Sequence, residues 1–244
     1  MEDRVFIIIQ ARMTSTRLPE KVMLPLCNKT VLEVMLDRIK EFKDNIIIAT
    51  TNDGTQKPIV DICSKLDLKY YEGDTNNVLS RFYEAALKYK AKENDIVVRL
   101  TSDCPLLDKD ILKSCIDTFK NSSIDYLTCG DETGFPRGID VEVFRFKLLD
   151  EANKNATTDT QKEHVTVYMH TTIKDKLNIL EYKNRNDDSR FRITLDEEDD
   201  YKLIKQIYEK FDNKTDFSYE QLIDLLEKND ELVQINSKVK QKKV

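Results

Sequence analysis

The chain has no tryptophan, and its 244 residues include only five glycines and five prolines. No internal repeat is present, and no stretch rich in Gly, Pro or Ser divides the chain. The glycines stand at 54, 73, 130, 134 and 138, so neither G-x-x-x-x-G-K-[ST] nor G-x-G-x-x-G is present. Walker-type and classical NAD chemistry are thereby disfavoured. No apolar run approaches the ~18 to 20 residues that span a bilayer. The start, Met1-Glu2-Asp3-Arg4, lacks the basic head and apolar core of a signal peptide, so a cytoplasmic protein without a membrane partner is expected. Cys27, Cys63, Cys104, Cys115 and Cys129 are odd in number and form no C-x-x-C, and they read as reduced core residues. Excess positive charge is also missing: the formal net charge is −6, which argues against a broad nucleic-acid footprint.

What is present is a globular composition, 40% hydrophobic and 34% charged. Short apolar runs alternate with amphipathic segments. Val5 to Gln10, Asn45 to Thr50, Leu68 to Tyr71 and Asp95 to Thr101 read as strands. Between them, Thr30 and Glu33 form a capping box for a helix to about Phe42, and residues 56–66 and 74–90 read as helices. Farther on, Asp108 caps a helix to about Phe119. Helices are also expected at 147–153, 160–170, 197–211 and 219–228, and strands at 125–128, 141–144, 178–182 and 191–195. Strands apolar throughout and separated by helices imply a mostly parallel sheet covered on both faces, with ligands at the carboxyl ends of its strands. One domain over residues 1–236 is expected, with 130–190 as a projecting subregion and 237–244 as a frayed basic tail.

The loop after the first strand, Gln10-Ala-Arg12-Met-Thr-Ser15-Thr-Arg17-Leu-Pro19-Glu-Lys21, concentrates three cations and several hydroxyls in an acidic chain. Guanidiniums fork onto phosphate oxygens and an ammonium adds a point charge, so the loop reads as an anion site rather than a solvated turn. Asp103 and Asp196 each follow a strand-like run, where two separated carboxylates can share Mg²⁺. Asp196 reads equally well as the cap of the helix behind it. Asp108-Lys-Asp110 matches a D-x-D string, but Asp108 sits where a helix starts, and capping is the better reading. His164 and His170 are six apart, so they form no helical zinc pair.

The loop resembles the signature of the CMP-Kdo and CMP-acylneuraminate synthetases, and more closely that of their relatives, the spore-coat polysaccharide biosynthesis protein F family of cytidylyltransferases. The resemblance extends through Glu72-Gly-Asp74 to Ala86, Val98 to Leu106, Pro136 to Phe144, Glu163 to Thr166 and Arg192 to Asp196, roughly residues 4 to 211. It departs from the family at Thr14, Glu20 and Asn28, where relatives often have glycine.

The resemblance implies a three-layer α/β, Rossmann-like nucleotide-diphospho-sugar transferase (GT-A-like) fold. It implies an enzyme that transfers CMP from CTP to a small acidic or sugar-like acceptor, with release of pyrophosphate. Gln10, Ala11, Arg12, Met13, Ser15, Lys21, Asp74, Arg81 and Thr101 would bind the nucleotide. Arg12, Arg17, Lys21 and Asp103 would carry catalysis, and Asp103 and Asp196 would hold Mg²⁺. Arg137, Asp140, Glu142 and His164 would face the acceptor. A homodimer through residues 130–190 is expected. Use of another nucleotide, a glycosyltransferase with a nucleotide-sugar donor, and a non-catalytic nucleotide-binding subunit are the alternatives.

Overall fold

A computed structural model describes residues 3–241. In chain order it contains β1 (Val5–Gln10), a small hairpin of β2 (Pro25–Leu26) and β3 (Lys29–Thr30), α1 (Val31–Arg38), β4 (Ile46–Thr51), α2 (Lys57–Lys65), β5 (Lys69–Gly73), α3 (Val78–Lys88) and β6 (Ile96–Thr101). Then come α4 (Lys109–Lys120), β7 (Tyr126–Cys129), β8 (Val141–Arg145), α5 (Phe146–Asn155), α6 (Asp159–Glu163), β9 (Ile179–Glu181), α7 (Glu198–Lys210), α8 (Tyr219–Glu227) and α9 (Asp230–Gln234).

The main sheet runs β5-β4-β1-β6-β8-β7-β9. β1 pairs in parallel with β4 and β6, and β4 with β5. β8 is antiparallel to both of its neighbours, β6 and β7. Alternation decides which side chain meets which layer. Ile7, Ile9, Ile46, Ile48, Ile96, Val98 and Leu100 enter a core with α1, α2, α4, α7 and α8. Phe6, Ile8, Ile47, Ala49, Val97 and Phe144 face the other way, into a core with α3, α5 and the segment 165–173. The result is the three-layer α/β fold with a mostly parallel sheet.

The second face changes character along the strands. Apolar residues fill its lower half beneath α3 and α5. Toward the carboxyl ends of β1 and β6 the same alternation delivers Gln10, Arg99 and Thr101, and Thr128 and Glu142 continue the row on β7 and β8. These polar residues floor an open cleft.

Most expected elements stand within a few residues of their places. The capping box is present, with Glu33 N donating to Thr30 Oγ1 at 3.2 Å, but α1 ends at Arg38 and tightens into a 3-10 turn over Lys40–Asn45. Residues 160–170 do not form one helix. α6 stops at Glu163, Val165 takes a left-handed φ of 33°, and a π-helical turn covers Tyr168–Thr172. Residues 191–195 are not a strand of the sheet: they make one isolated bridge, Arg192 with Arg137. That bridge depends on Gly138, whose φ is 113° and where an added Cβ would meet Ile193 C and Thr194 N at 2.7 Å. The hairpin at Cys27 and Asn28 was not anticipated, although both take left-handed φ (51° and 58°) as its turn requires. Of the expected basic tail at 237–244, Ser237 and Val239 make local turns and Gln241 lies at the cleft, while 242–244 lie outside the described residues. Among the described residues no helix is long and apolar enough to cross a membrane.

Candidate active site

The cleft has a volume of about 540 Å³. Its first wall is the loop after β1. Ala11 N donates to Ala49 O at 3.1 Å, extending the β1–β4 pairing one step. The Met13 carbonyl then accepts from Ser15 N (3.0 Å) and Glu20 N (2.9 Å), doubling the loop back. Glu20 completes the reversal with φ 56°, a conformation in which glycine is cheapest, before the 3-10 turn Lys21–Met23. Ala11, Arg12, Ser15, Arg17 and Lys21 line the cleft as a result. Thr14 and Glu20 are exposed and stand off it.

Lys21 is the hinge of the site. Its Nζ donates to Asp103 Oδ2 at 2.8 Å, to Asp196 Oδ1 at 3.0 Å and to the Leu195 carbonyl at 2.7 Å. Groups 82 and 175 residues from it in sequence thus converge on one point. Asp103 lies just past β6, and its carbonyl accepts Leu195 N at 2.8 Å. With the bridge at Gly138, this contact carries Asp196 to the cleft. Arg17 Nη2 lies 2.9 Å from the same Asp196 oxygen. Burial acts to raise the Asp103 carboxyl, but Lys21 outweighs it and brings the group down to about 2. Burial acts to lower Lys21, and the paired carboxylates overcome that and raise it. The triad is therefore held ionised.

The capping alternatives resolve in opposite directions. The amides of Asp196 and Glu197 donate to Asp200 Oδ2, both at 3.0 Å, so Asp200 closes the start of α7 and Asp196 is left to the cleft. Asp108 is a cap: its Oδ1 accepts from Asp110 N and Ile111 N (2.8 and 3.1 Å), and its Oδ2 takes Tyr219 N at 3.0 Å. The D-x-D string is thus absorbed into α4 and is not part of the cleft.

Arg12 and Arg81 form a different kind of group. Arg81 is buried, its Nε has no partner, and its Nη1 reaches only the Asp74 carbonyl at 3.4 Å. Burial, then the neighbouring Arg12 charge, lower it to about 10. Neither guanidinium is paired with a carboxylate, so the two present positive charge side by side that is only weakly offset, by Asp74 and Asp53 at a distance. Gln10 Oε1 is likewise buried without a partner. Two expected residues are not brought into the cleft. Met13 is buried in the core and supplies only backbone, and Asp74 is exposed, folding the start of α3 by accepting from Asn76 N and Asn77 N at 2.7 Å.

At the far end lie Arg137, Asp140, Glu142 and His164. Arg137 pairs with Asp131 at 2.8 Å. Glu142 is register partner to Arg99 and forms an ion pair with it, while its other oxygen accepts from Tyr126 Oη and from Thr166 Oγ1 (2.8 Å). Arg99 was not expected from sequence. Its signal is a lone arginine in an apolar strand, two residues before Thr101. Asp140 accepts from Gly138 N at 2.9 Å, and burial raises its carboxyl to about 6. Burial lowers His164. Arg192, also missed, grips Asp200 (2.9 Å) and Asp196 (3.1 Å) together.

A mostly parallel sheet, with a cationic loop after its first strand and two acidic groups beside it, defines a nucleotidyltransferase of Rossmann-like fold. A cytidylyltransferase family model matches residues 6–243. The chain belongs to the cytidylyltransferase family, and so is an enzyme of the CTP-dependent nucleotidyltransferase class. It is 33% identical over 238 residues to the spore coat polysaccharide biosynthesis protein SpsF of Bacillus subtilis, covering 94% of this chain and 96% of that protein. A cytidylyltransferase structure from Leptospira borgpetersenii superposes with a TM-score of 0.89 at 34% identity, over 99% of this chain and all of the other. CMP:2-keto-3-deoxy-manno-octonic acid synthetase, solved with CTP, shares the fold at a TM-score of 0.64 and 14% identity, over 86% of this chain and 100% of that one.

Proposed function

We propose that the enzyme transfers CMP from CTP to a small acidic or sugar-like acceptor for surface polysaccharide synthesis, releasing pyrophosphate. The observation that carries this reading is the convergence of Lys21, Asp103 and Asp196 within 3.0 Å, in the same cleft as Arg12 and the buried Arg81, whose Nε has no partner. The relatives named above support the nucleotide and the pathway class.

In this reading the acceptor's oxygen attacks the α-phosphorus and pyrophosphate leaves in line. Such chemistry asks for positioning and charge neutralisation more than for covalent help. Arg12 and Arg81 take the charge of the polyphosphate, and Arg17 and Lys21 stabilise what develops on the leaving group. Gln10, Ala11, Ser15 and Thr101 line the nucleoside side, and Arg137, Asp140, Glu142 and His164 line the acceptor side.

Mg²⁺ fits the donor set. Asp103 and Asp196 are oxygen donors that already share one cationic centre, and this ion needs only one or two carboxylates when phosphate oxygens and water complete its shell. When bound it would supply charge neutralisation at the reacting phosphate.

The test is pyrophosphate release with CTP, UTP, ATP and GTP over a metabolite extract, with mass-spectrometric detection of new CMP conjugates. A conjugate formed only from CTP supports the reading. Equal use of another nucleotide, or none with any, overturns it.

A further inference from the structure

The ammonium of Lys21 has three donors, and each meets an oxygen: Asp103 Oδ2 at 2.8 Å, Asp196 Oδ1 at 3.0 Å and the Leu195 carbonyl at 2.7 Å. Two carboxylates and a carbonyl around one cation are also the kind of donors that a hard divalent ion takes. The residues that supply these oxygens have other holds. Asp196 Oδ2 accepts from Arg192 Nη2 at 3.1 Å, and Arg17 Nη2 lies 2.9 Å from Asp196 Oδ1. The Asp103 carbonyl accepts from Leu195 N at 2.8 Å and from Thr194 Oγ1 at 3.2 Å, which ties the two carboxylate-bearing segments together. Lys21 is the member that can leave. Its backbone is set by the 3-10 turn Lys21–Met23 and the buried Val22 beside it. Its charge, however, sits at the end of a flexible four-carbon stem, in a cleft it lines together with Arg12 and Arg17.

We infer that Lys21 keeps the metal's place in the nucleotide-free enzyme: its ammonium fills the oxygen cage, and the cage opens to a divalent ion only when incoming phosphates give Lys21 another partner. The metal therefore enters with the nucleotide and not ahead of it. An ammonium and a divalent ion do not share these oxygens, because two cations at such short range repel. The inference rests on the nucleotidyltransferase reading of the cleft, with Asp103 and Asp196 as its metal ligands, but not on the choice of base or acceptor.

The test measures binding of Mn²⁺, a spectroscopic stand-in for Mg²⁺, to the full-length protein without nucleotide or acceptor, by electron paramagnetic resonance of the free ion. The parent is expected to bind it weakly, and Lys21→Met about tenfold more tightly or better. Lys21→Gln, which keeps a polar end without the charge, should show part of that gain. Adding Asp103→Asn to Lys21→Met should remove it, as it must if the ion sits on the same oxygens. Melting curves give a second readout. Mn²⁺ alone should leave the parent's melting temperature unchanged and raise that of Lys21→Met, whereas Mn²⁺ together with CTP should raise both. Tight Mn²⁺ binding by the nucleotide-free parent would overturn the inference without any variant having to fold. Equal affinities in parent and Lys21→Met, or a gain that survives Asp103→Asn, would overturn it as well. Failure of the CTP reading has another signature: the gain in Lys21→Met remains, while CTP raises the melting temperature of either protein no more than UTP does.

Discussion

The two ends of the cleft are built on opposite electrostatic plans. At the end lined by Asp140, Glu142 and His164 each arginine has a carboxylate: Arg99 pairs with Glu142, with Tyr126 and Thr166 behind it, although Arg99 Nε has no partner, and Arg137 pairs with Asp131. At the other end neither Arg12 nor Arg81 is paired with a carboxylate, Asp74 and Asp53 acting on Arg81 only from a distance, and Lys21 is shared between two acids. A network whose charges are already paired gives a wall of largely fixed shape, since those partners are present before any ligand arrives. An open one stores unfavourable charge that only a ligand relieves. Stability and binding should therefore separate along the cleft.

The sharpest break of this comparison is at Asp103. Asp103→Asn is expected to lower turnover about a thousandfold or more, in line with losing one essential charged contact in the transition state. Its fold should be intact by circular dichroism. Near-normal pyrophosphate release would remove Asp103 from the chemistry.

Arg99→Met probes the locked end. It leaves the Glu142 carboxylate buried without its cation, which costs about 3 to 5 kcal/mol. Chemical denaturation reads this directly, and a loss under 1 kcal/mol would show the wall to be soft. Arg81→Met probes the open end and should go the other way. Removing a buried cation without a partner is expected to raise stability by about 1 kcal/mol while abolishing CTP binding. If both variants destabilise alike, the contrast between the two ends is wrong.

Lys21→Ala should cost about 1.5 to 3 kcal/mol of transition-state stabilisation, or roughly tenfold to a hundredfold in kcat/KM for CTP. The KM for the acceptor should hold steady. Unaltered CTP kinetics would leave Lys21 as a structural counter-ion alone.

The comparison can also be sharpened through pH. Asp140 is raised to about 6 in the folded protein, above its ordinary range, so the native state holds that proton more tightly than the unfolded chain. Its contribution is favourable at low pH and is lost as pH rises through about 6. Asp103, brought down to about 2, has the opposite sign: its contribution is present above the ordinary aspartate range and disappears as pH falls toward 2. Asp140→Asn should therefore gain stability over the parent at pH 7.5 and show little difference at pH 4. Parallel melting curves across that window would mean Asp140 ionises as if exposed.

The elements of the sheet were readable because their signals are local. Val5 to Gln10 is apolar on both faces, and Thr30 with Glu33 carries its own cap, so neither needs distant partners to be recognised. The loop cations were readable for the same reason, lying within ten residues of one another. Signals failed where a segment's conformation is set from outside. Residues 191–195 have the composition of a strand, but a bridge at Gly138 and the Asp103 carbonyl hold them off the sheet. The helix expected over 160–170 breaks at Val165, and its remaining residues turn their apolar side chains into the core beneath α5. Arg99 was passed over because an arginine inside a strand declares itself only when its opposite residue, 43 positions away, is known to be Glu142.

By itself the amino-acid order determined the alternation that builds a covered sheet, the cationic loop at the end of its first strand, and the anion-binding character of that loop. Those are properties of short range, where a period of two, a cap or a cluster of charge acts on its own neighbourhood. Tertiary structure alone decided that Asp196 faces the cleft while Asp108 is spent on a helix, that Arg99 is paired with a carboxylate while Arg81 is not, and that Gln241 meets Arg192. Charge pairing is a matter of distance in space, and two carboxylates 93 residues apart act together only because folding brings both within 3.0 Å of the same lysine.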